Sequence, residues 1–203
     1  ARGAQVWQAA IPFREAPELL DHRVQGTVVL PATAYLEMAL AAATEAFGPG
    51  LPVLEGVRFE KALFLPEADV RRAEFVLSPP RGDTASFQIF VSDAERDGAP
   101  TGWACHVSGT VRLSDGREAG VSEPPRLEAM QERCGRLISS QAFYESAAAQ
   151  GLDYGPAFQG VEELWIGQGE ALGRIRVPAG VASTGDRYQV PPALLDACLQ
   201  ASG

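Results

Sequence analysis

Hydrophobic and polar positions change rhythm repeatedly along the chain, and the changes predict many strands interrupted by a few helices. Residues 5–13 read as a strand, and residues 15–20 pass over a proline into Asp21-His22, where a turn or short connection is expected. From Pro31 the run Ala-Thr-Ala-Tyr-Leu-Glu-Met-Ala-Leu-Ala-Ala-Ala-Thr-Glu-Ala-Phe is rich in helix formers, follows a proline and ends at Gly48-Pro49-Gly50, which predicts a helix. Apolar residues occupy nearly its whole circumference, so burial on most sides is expected. Alternating or β-rich runs follow at residues 53–59, 61–65, 72–77, 86–92 and 103–113, with Gly, Pro and Asp clusters between them. One long helix followed by several antiparallel strands predicts a sheet wrapped around a helix.

Residues 114–133 are charged and carry prolines, the composition of a linker. The expected organisation is therefore an N-terminal unit over residues 1–115, a linker over 116–136 and a second unit over 137–203. In the second unit, residues 140–150 read as a helix ended by Gly151, residues 161–166 and 170–177 as a pair of strands, and Pro191-Pro192 introduces a helical run over 193–201. The theme of the first unit, strands plus a buried helix carrying a polar residue, recurs without residue-level repetition. The fold class is α+β.

Composition narrows the function classes. With 203 residues, 46% of them hydrophobic, the chain can bury a real core. Its apolar stretches fall far short of the roughly 20 residues that cross a bilayer. The start, Ala1-Arg2-Gly3-Ala4-Gln5, shows no secretory pattern. A net charge of -9 argues against nucleic acid, whose binders gain affinity from clustered Lys and Arg. Cys105, Cys134 and Cys198 are odd in number and lack the CxxC spacing of a zinc or redox site, so a reducing cytoplasm is the simplest location.

Three constellations carry candidate chemistry. In the first, His22 precedes Gly26, Leu30 and Pro31. An imidazole ordinarily titrates near about 6.5 and can hold or release a proton at neutral pH. The plain alternative is a structural histidine in a loop. Gly26 permits positive φ or close backbone approach, and Pro31 suits the first turn of a helix whose free N–H groups could meet a ligand oxygen. The second is Tyr154-Gly155-Pro156-Ala-Phe158, either a turn with ordinary core residues or a rigid turn presenting an aromatic wall and a hydroxyl. In the third, Asp196 and Gln200 lie four apart in an apolar helical run and share a face. An apolar setting raises a carboxyl pKa and keeps it able to act as an acid, whereas the plain alternative is a helix-start aspartate.

Taken in order, His-x-x-x-Gly-x-x-x-x-Pro at 22–31, Tyr-Gly-Pro-x-Phe at 154–158 and Asp-x-x-x-Gln at 196–200 resemble the dehydratase domain of modular type I polyketide synthases. Tyr35-Leu-Glu-Met and Trp103-Ala-Cys-His106-Val-Ser-Gly109 add to the likeness, which runs from about His22 to the end. The resemblance implies a double hotdog, two long helices each wrapped by an antiparallel sheet, with the active site between the halves. It also implies that His22 takes the α-proton of a 3-hydroxyacyl thioester and Asp196 protonates the departing β-hydroxyl. Gln200 would orient Asp196; Tyr154, Gly155, Pro156 and Phe158 would shape the pocket; Gly26, Leu30, Pro31 and the helix N-terminus would serve the thioester oxygen. Relatives often have glycine where Ala32 stands, a difference that narrows the approach to that oxygen. The family's second half continues with further strands, so the second hotdog is expected to be incomplete here.

The chemistry fits these residue types. An α-proton beside a thioester needs a base and stabilisation of the enolate-like oxygen, while hydroxide leaves only when protonated. No metal or other cofactor is implied beyond the phosphopantetheine arm of the acyl carrier protein that bears the substrate. Implied partners are that carrier protein, neighbouring synthase domains and a second copy in a homodimer, with neither nucleic acid nor membrane. Alternatives are a bifunctional dehydratase-cyclase forming an oxygen heterocycle, and a catalytically silent scaffold. Metal binding by Cys105, His106 and His22 is disfavoured, because adjacent strand residues face opposite ways and Trp103, Cys105 and Val107 should share one buried face. An acidic carrier would need a local basic patch, with Arg58 and Lys61, or Arg71 and Arg72, as candidates.

Overall fold

The structure is a computed structural model that describes residues 3–11, 16–48, 50–65, 71–92, 95–96, 99–100, 102–114, 126–182 and 187–202. In chain order, β1 (Gln5–Ala10) and a 3-10 turn (Pro17–Asp21) lead to β2 (His22–Val24), β3 (Thr27–Val29) and helix α1 (Ala32–Phe47). Strands β4 (Leu51–Phe59), β5 (Phe64–Leu65), β6 (Arg72–Leu77), β7 (Thr84–Ser92), β8 (Glu95–Arg96), β9 (Ala99–Pro100) and β10 (Trp103–Ser114) follow. Next come α2 (Leu127–Arg133), β11 (Arg136–Ser139), α3 (Ser140–Ala149) and β12 (Leu152–Tyr154). A 3-10 turn (Pro156–Phe158), β13 (Val161–Ile166), β14 (Ala171–Ile175), α4 (Ala179–Ala182) and α5 (Pro192–Gln200) complete the series.

Contacts divide the chain into two units, Ala1–Glu15 with Ala34–Ala119, and Ala16–Thr33 with Gly120–Gly203. The division departs from the boundaries expected from the sequence, which gave residues 16–33 to the N-terminal unit. The cause is pairing: β12 runs antiparallel to β2, with Leu152 opposite Val24, Asp153 opposite Arg23 and Tyr154 opposite His22. Much of the expected linker lies outside the described residues, but α2 and the start of β11 fall within it. Leu127-Glu-Ala-Met-Gln-Glu-Arg133 consists of good helix formers, with Glu128 in the first turn and Arg133 in the last, each favourable to the helix dipole.

In the first unit, β1, β6, β7, β10 and β4 form one antiparallel sheet in that order. Ala73, Phe75 and Leu77 on β6 and Ala85, Phe87, Ile89 and Val91 on β7 are all buried, the period-two pattern of a sheet with one face inward. On α1 the buried residues include Ala34, Tyr35, Ala39, Ala42, Ala43 and Ala46, a stripe of mostly small side chains. Strand β10 breaks the expected alternation. Its register shifts between Cys105 and Val107, so His106 and Val107 are both buried while Trp103 is 40% exposed. The expected common buried face of Trp103, Cys105 and Val107 is therefore not formed, because a bulge turns consecutive residues inward. His106 Nδ1 lies 2.9 Å from the Lys61 carbonyl and 3.3 Å from the Tyr35 hydroxyl.

The second unit holds the β12-β2-β3 ladder and the antiparallel sheet β11-β13-β14. Helix α5 begins with Pro192, whose fixed φ suits a first turn, and buries Pro192, Ala193, Asp196 and Ala197 at helical spacing. It packs where side chains are missing. A Cβ on Gly160 would stand 2.7 Å from the Ala197 Cβ, and one on Gly173 would stand 2.8 Å from that of Ala201.

Candidate active site

The second unit contains all ten residues singled out from the sequence. His22 opens β2 and faces Tyr154 across the ladder, with ring centroids 5.6 Å apart. Its ring also lies 5.2 Å from that of Phe158, which is fully buried. His22 Nδ1 is 2.8 Å from the Val29 carbonyl. A carbonyl only accepts, so Nδ1 carries a proton, and in the neutral tautomer that this bond selects the lone pair is on Nε2.

The hairpin holding His22 closes through Gln25 and Gly26, both at positive φ, between paired Val24 and Thr27. That is the signature of a tight hairpin turn whose second position favours glycine. The Gly26 N–H donates to Asp153 Oδ2 at 2.9 Å, tying the turn to β12. Gly26 is thus an exposed turn residue at the far end of the hairpin from His22, with its amide already engaged. Leu30 and Pro31 are buried and lead directly into α1.

Asp21 secures the other end of β2. The Gly155 N–H donates to the Asp21 carbonyl at 2.7 Å, and the Ala157 N–H donates to Asp21 Oδ2 at 2.8 Å. Gly155 itself has extended backbone; its importance is space, since a Cβ there would lie 2.5 Å from Asp21 Cγ. Pro156 starts the 3-10 turn that delivers Phe158. The Tyr154 carbonyl accepts from Gln159 Nε2 at 2.8 Å, bracing the same turn.

Asp196 is 9% exposed on α5, and burial pushes its carboxyl above the usual carboxylate range. The His22 charge and a hydrogen bond from Gln200 pull in the opposite direction. Gln200 Nε2 donates to Asp196 Oδ2 at 2.8 Å and to the Phe158 carbonyl at 3.2 Å. The pKa of the Tyr154 hydroxyl is raised first by burial and then by the Asp196 charge, so the carboxyl is felt on β12.

Five of the sequence candidates, His22, Tyr154, Phe158, Asp196 and Gln200, are therefore linked by ring contacts, hydrogen bonds or charge. Three participants were not singled out from the sequence: Asp21, Asp153 and Tyr144. The first two sit beside named residues, whereas Tyr144, whose hydroxyl is 3.1 Å from Gln200 Oε1, lies on α3 with nothing in its local pattern to distinguish it. A cavity of about 620 Å³, lined by Ile138, Phe143, Leu152, Leu164, Tyr154 and Gln200 among others, adjoins this network and suits an apolar chain. Among the described residues, no group of three or more His, Cys, Asp or Glu is arranged to hold a metal ion, and no helix is long and apolar enough to cross a membrane. Of the basic candidates, Arg58 and Lys61 are exposed, while Arg71 donates from Nη1 to the Ser92 carbonyl at 3.1 Å.

The site thus holds a buried carboxyl that feels the charge of an imidazole anchored at Nδ1. Family models agree: the polyketide synthase dehydratase domain matches residues 1–92, and the polyketide synthase dehydratase N-terminal domain matches residues 122–203. A solved structure of the CurK dehydratase, described as an inactive mutant with asparagine for an aspartate, is 31% identical with a TM-score of 0.87, covering 100% of this chain and 69% of its own. Another inactive mutant of that domain, with phenylalanine for a histidine, is 30% identical with a TM-score of 0.85, covering 99% of this chain and 68% of its own. The chain belongs to the dehydratase domains of polyketide synthases, and its fold is their double hotdog. The pikromycin polyketide synthase component PikAII of Streptomyces venezuelae is 34% identical over 197 residues, 96% of this chain and 5% of that protein. The chain thus spans only a small part of the curated relatives it matches.

Proposed function

We propose that this domain removes water from a 3-hydroxyacyl thioester carried by an acyl carrier protein, within a polyketide synthase in the cytoplasm. His22 Nε2 takes the α-proton as the thioester carbonyl draws in the resulting charge. The C–O bond at the β-carbon breaks as the Asp196 carboxyl delivers its proton, so hydroxide departs as water and the α,β double bond forms. His22 is left protonated and Asp196 ionised; one proton returned to solvent and one taken up restore both. The N–H groups at the start of α1, after Pro31, are the proposed partners of the thioester oxygen. The cavity beside Tyr154 and Gln200 is the proposed site for the apolar part of the acyl chain. No cofactor takes part beyond the carrier's phosphopantetheine arm.

One observation supports this reading above the others. The Val29 carbonyl fixes a proton on His22 Nδ1 and so reserves Nε2 for the substrate, while burial raises the Asp196 pKa and so favours its protonated form. The relatives described as inactive have lost one aspartate or one histidine, the same two residue types.

The test is to incubate the full chain with a 3-hydroxyacyl carrier protein, or the matching pantetheine thioester, and follow loss of water by mass spectrometry. His22→Ala should reduce the rate by about 10²–10⁴-fold, the usual contribution of a positioned base. No water loss from the native protein, or equal loss from the variant, would overturn the assignment.

A further inference from the structure

We infer that the Tyr144 hydroxyl is a positioning group for the acid, holding the Gln200 side-chain amide with its NH₂ toward Asp196. The inference rests on the reading of Asp196 as the acid. It follows from counting hydrogens. The Val161 N–H donates to the Tyr144 oxygen at 2.9 Å, so the hydroxyl proton must point elsewhere. Within its reach are Gln200 Oε1 at 3.1 Å and the Phe158 carbonyl at 3.3 Å. The Phe158 carbonyl can only accept, and the Gln200 atom 3.2 Å from it must therefore be the NH₂. The second hydrogen of that NH₂ goes to Asp196 Oδ2.

Reversal of the amide would set its oxygen against two acceptors, the Phe158 carbonyl and the carboxylate, and would take the acceptor away from Tyr144. Tyr144 and Phe158 thus hold the amide from two sides, and every polar atom of Gln200 is engaged. Burial pushes the Tyr144 hydroxyl up to about 12, so it stays a donor throughout the working range. Oδ2 is occupied by the amide, which leaves Oδ1 to carry the transferable proton. Once that proton has left, the carboxylate meets a donor already in place and needs no rearrangement of its surroundings.

Several titratable groups act on Asp196. His22 on β2 is the one that becomes a cation; Tyr154 on β12 and Tyr144 on α3 are neutral phenols. The charged residues of β13 and β14, with Arg176 just beyond, are paired with one another, Arg174 with Glu163 and Arg176 with Glu162. Gln200 is thus the neutral control on the ionised form, and Tyr144 acts through it.

The experiment measures kcat and KM against pH for the full chain, using a 3-hydroxyacyl pantetheine thioester. Tyr144→Phe should lower kcat by about three- to ten-fold with KM little changed, the scale of one hydrogen bond. Its alkaline limb should move to higher pH, because the carboxylate loses part of its stabilisation. In a Gln200→Leu background the same substitution should move neither kcat nor the limb. Site-specific 3-fluorotyrosine at position 144 keeps the ring and strengthens the donor, so the limb should move the other way. An equal effect of Tyr144→Phe in both backgrounds, or an unmoved limb in both Tyr144 variants, would overturn the proposal. Wild-type turnover in Asp196→Asn would instead remove the acid itself, a failure of the underlying reading that is visible without touching Tyr144.

Discussion

Asp21 Oδ2 accepts the Ala157 N–H at 2.8 Å although 136 positions separate the two residues. That bond fastens the residue before His22 to the turn that presents Phe158. Asp21→Ala is expected to cost about 1.5–3 kcal/mol in urea denaturation, the usual scale for a hydrogen bond to a charged group. Turnover should fall as well, since the His22 ring rests on Phe158. Asp21→Asn keeps an acceptor and should recover much of both. Equal losses in the two variants would show that the bond to Ala157 is not what matters.

With Asp196 as the proposed acid, activity and stability depend on one titration. Its native pKa is raised, chiefly by burial, so the folded protein keeps this proton to higher pH than the unfolded chain does. The resulting contribution is fully present below the unfolded carboxylate value of about 3.9 and is lost as pH rises through the native value. Asparagine at this position carries no charge and still accepts from Gln200. Asp196→Asn should therefore gain in Tm relative to wild type as pH is raised from below about 3.9 to about 8, while losing activity. A Tm difference that stays flat over that interval contradicts a carboxyl pKa raised by burial.

Gly160 sets how closely α5 approaches β13. Gly160→Ala places a Cβ 2.7 Å from that of Ala197 and 3.1 Å from the Arg176 carbonyl. Overpacking of this kind costs about 1–3 kcal/mol, and because α5 carries Asp196, kcat should fall too. Pairing the change with Ala197→Gly removes the collision and should return part of the stability; independent, additive losses would argue against direct packing.

The turn glycine of the β2–β3 hairpin makes a separate prediction. Gly26 has φ +76°, so Gly26→Ala should destabilise by about 1 kcal/mol through backbone strain alone, there being open space for the methyl group. Gly26→Asn, which tolerates that conformation better, should be milder. A cost as large for Asn as for Ala would point to a contact rather than to φ.

Much of the fold could be read locally. The helix at 32–47, the helices at 140–149 and 192–200, and strands such as β6 and β13 follow from periodicity and punctuation within each segment. What escaped was non-local. The place of residues 16–33 depends on pairing with β12, and a linker-like composition concealed the helix former run of α2. The bulge in β10 escaped because nothing in Trp103-Ala-Cys-His-Val announces where a register slips. The site shows the same division. His22, Asp196 and Gln200 are picked out by the ordered motifs that resemble the family, whereas Tyr144 joins the network through a contact 56 positions away.

The His22 ring, its Val29 anchor and the turn that brings them together all lie within residues 22–29. The Nδ1 proton of His22 is thus fixed from within its own hairpin, whereas the faces of its ring are held by Tyr154 and Phe158 from a distant segment. A substitution in the 154–158 turn can therefore tilt the imidazole without disturbing which of its nitrogens carries the anchored proton.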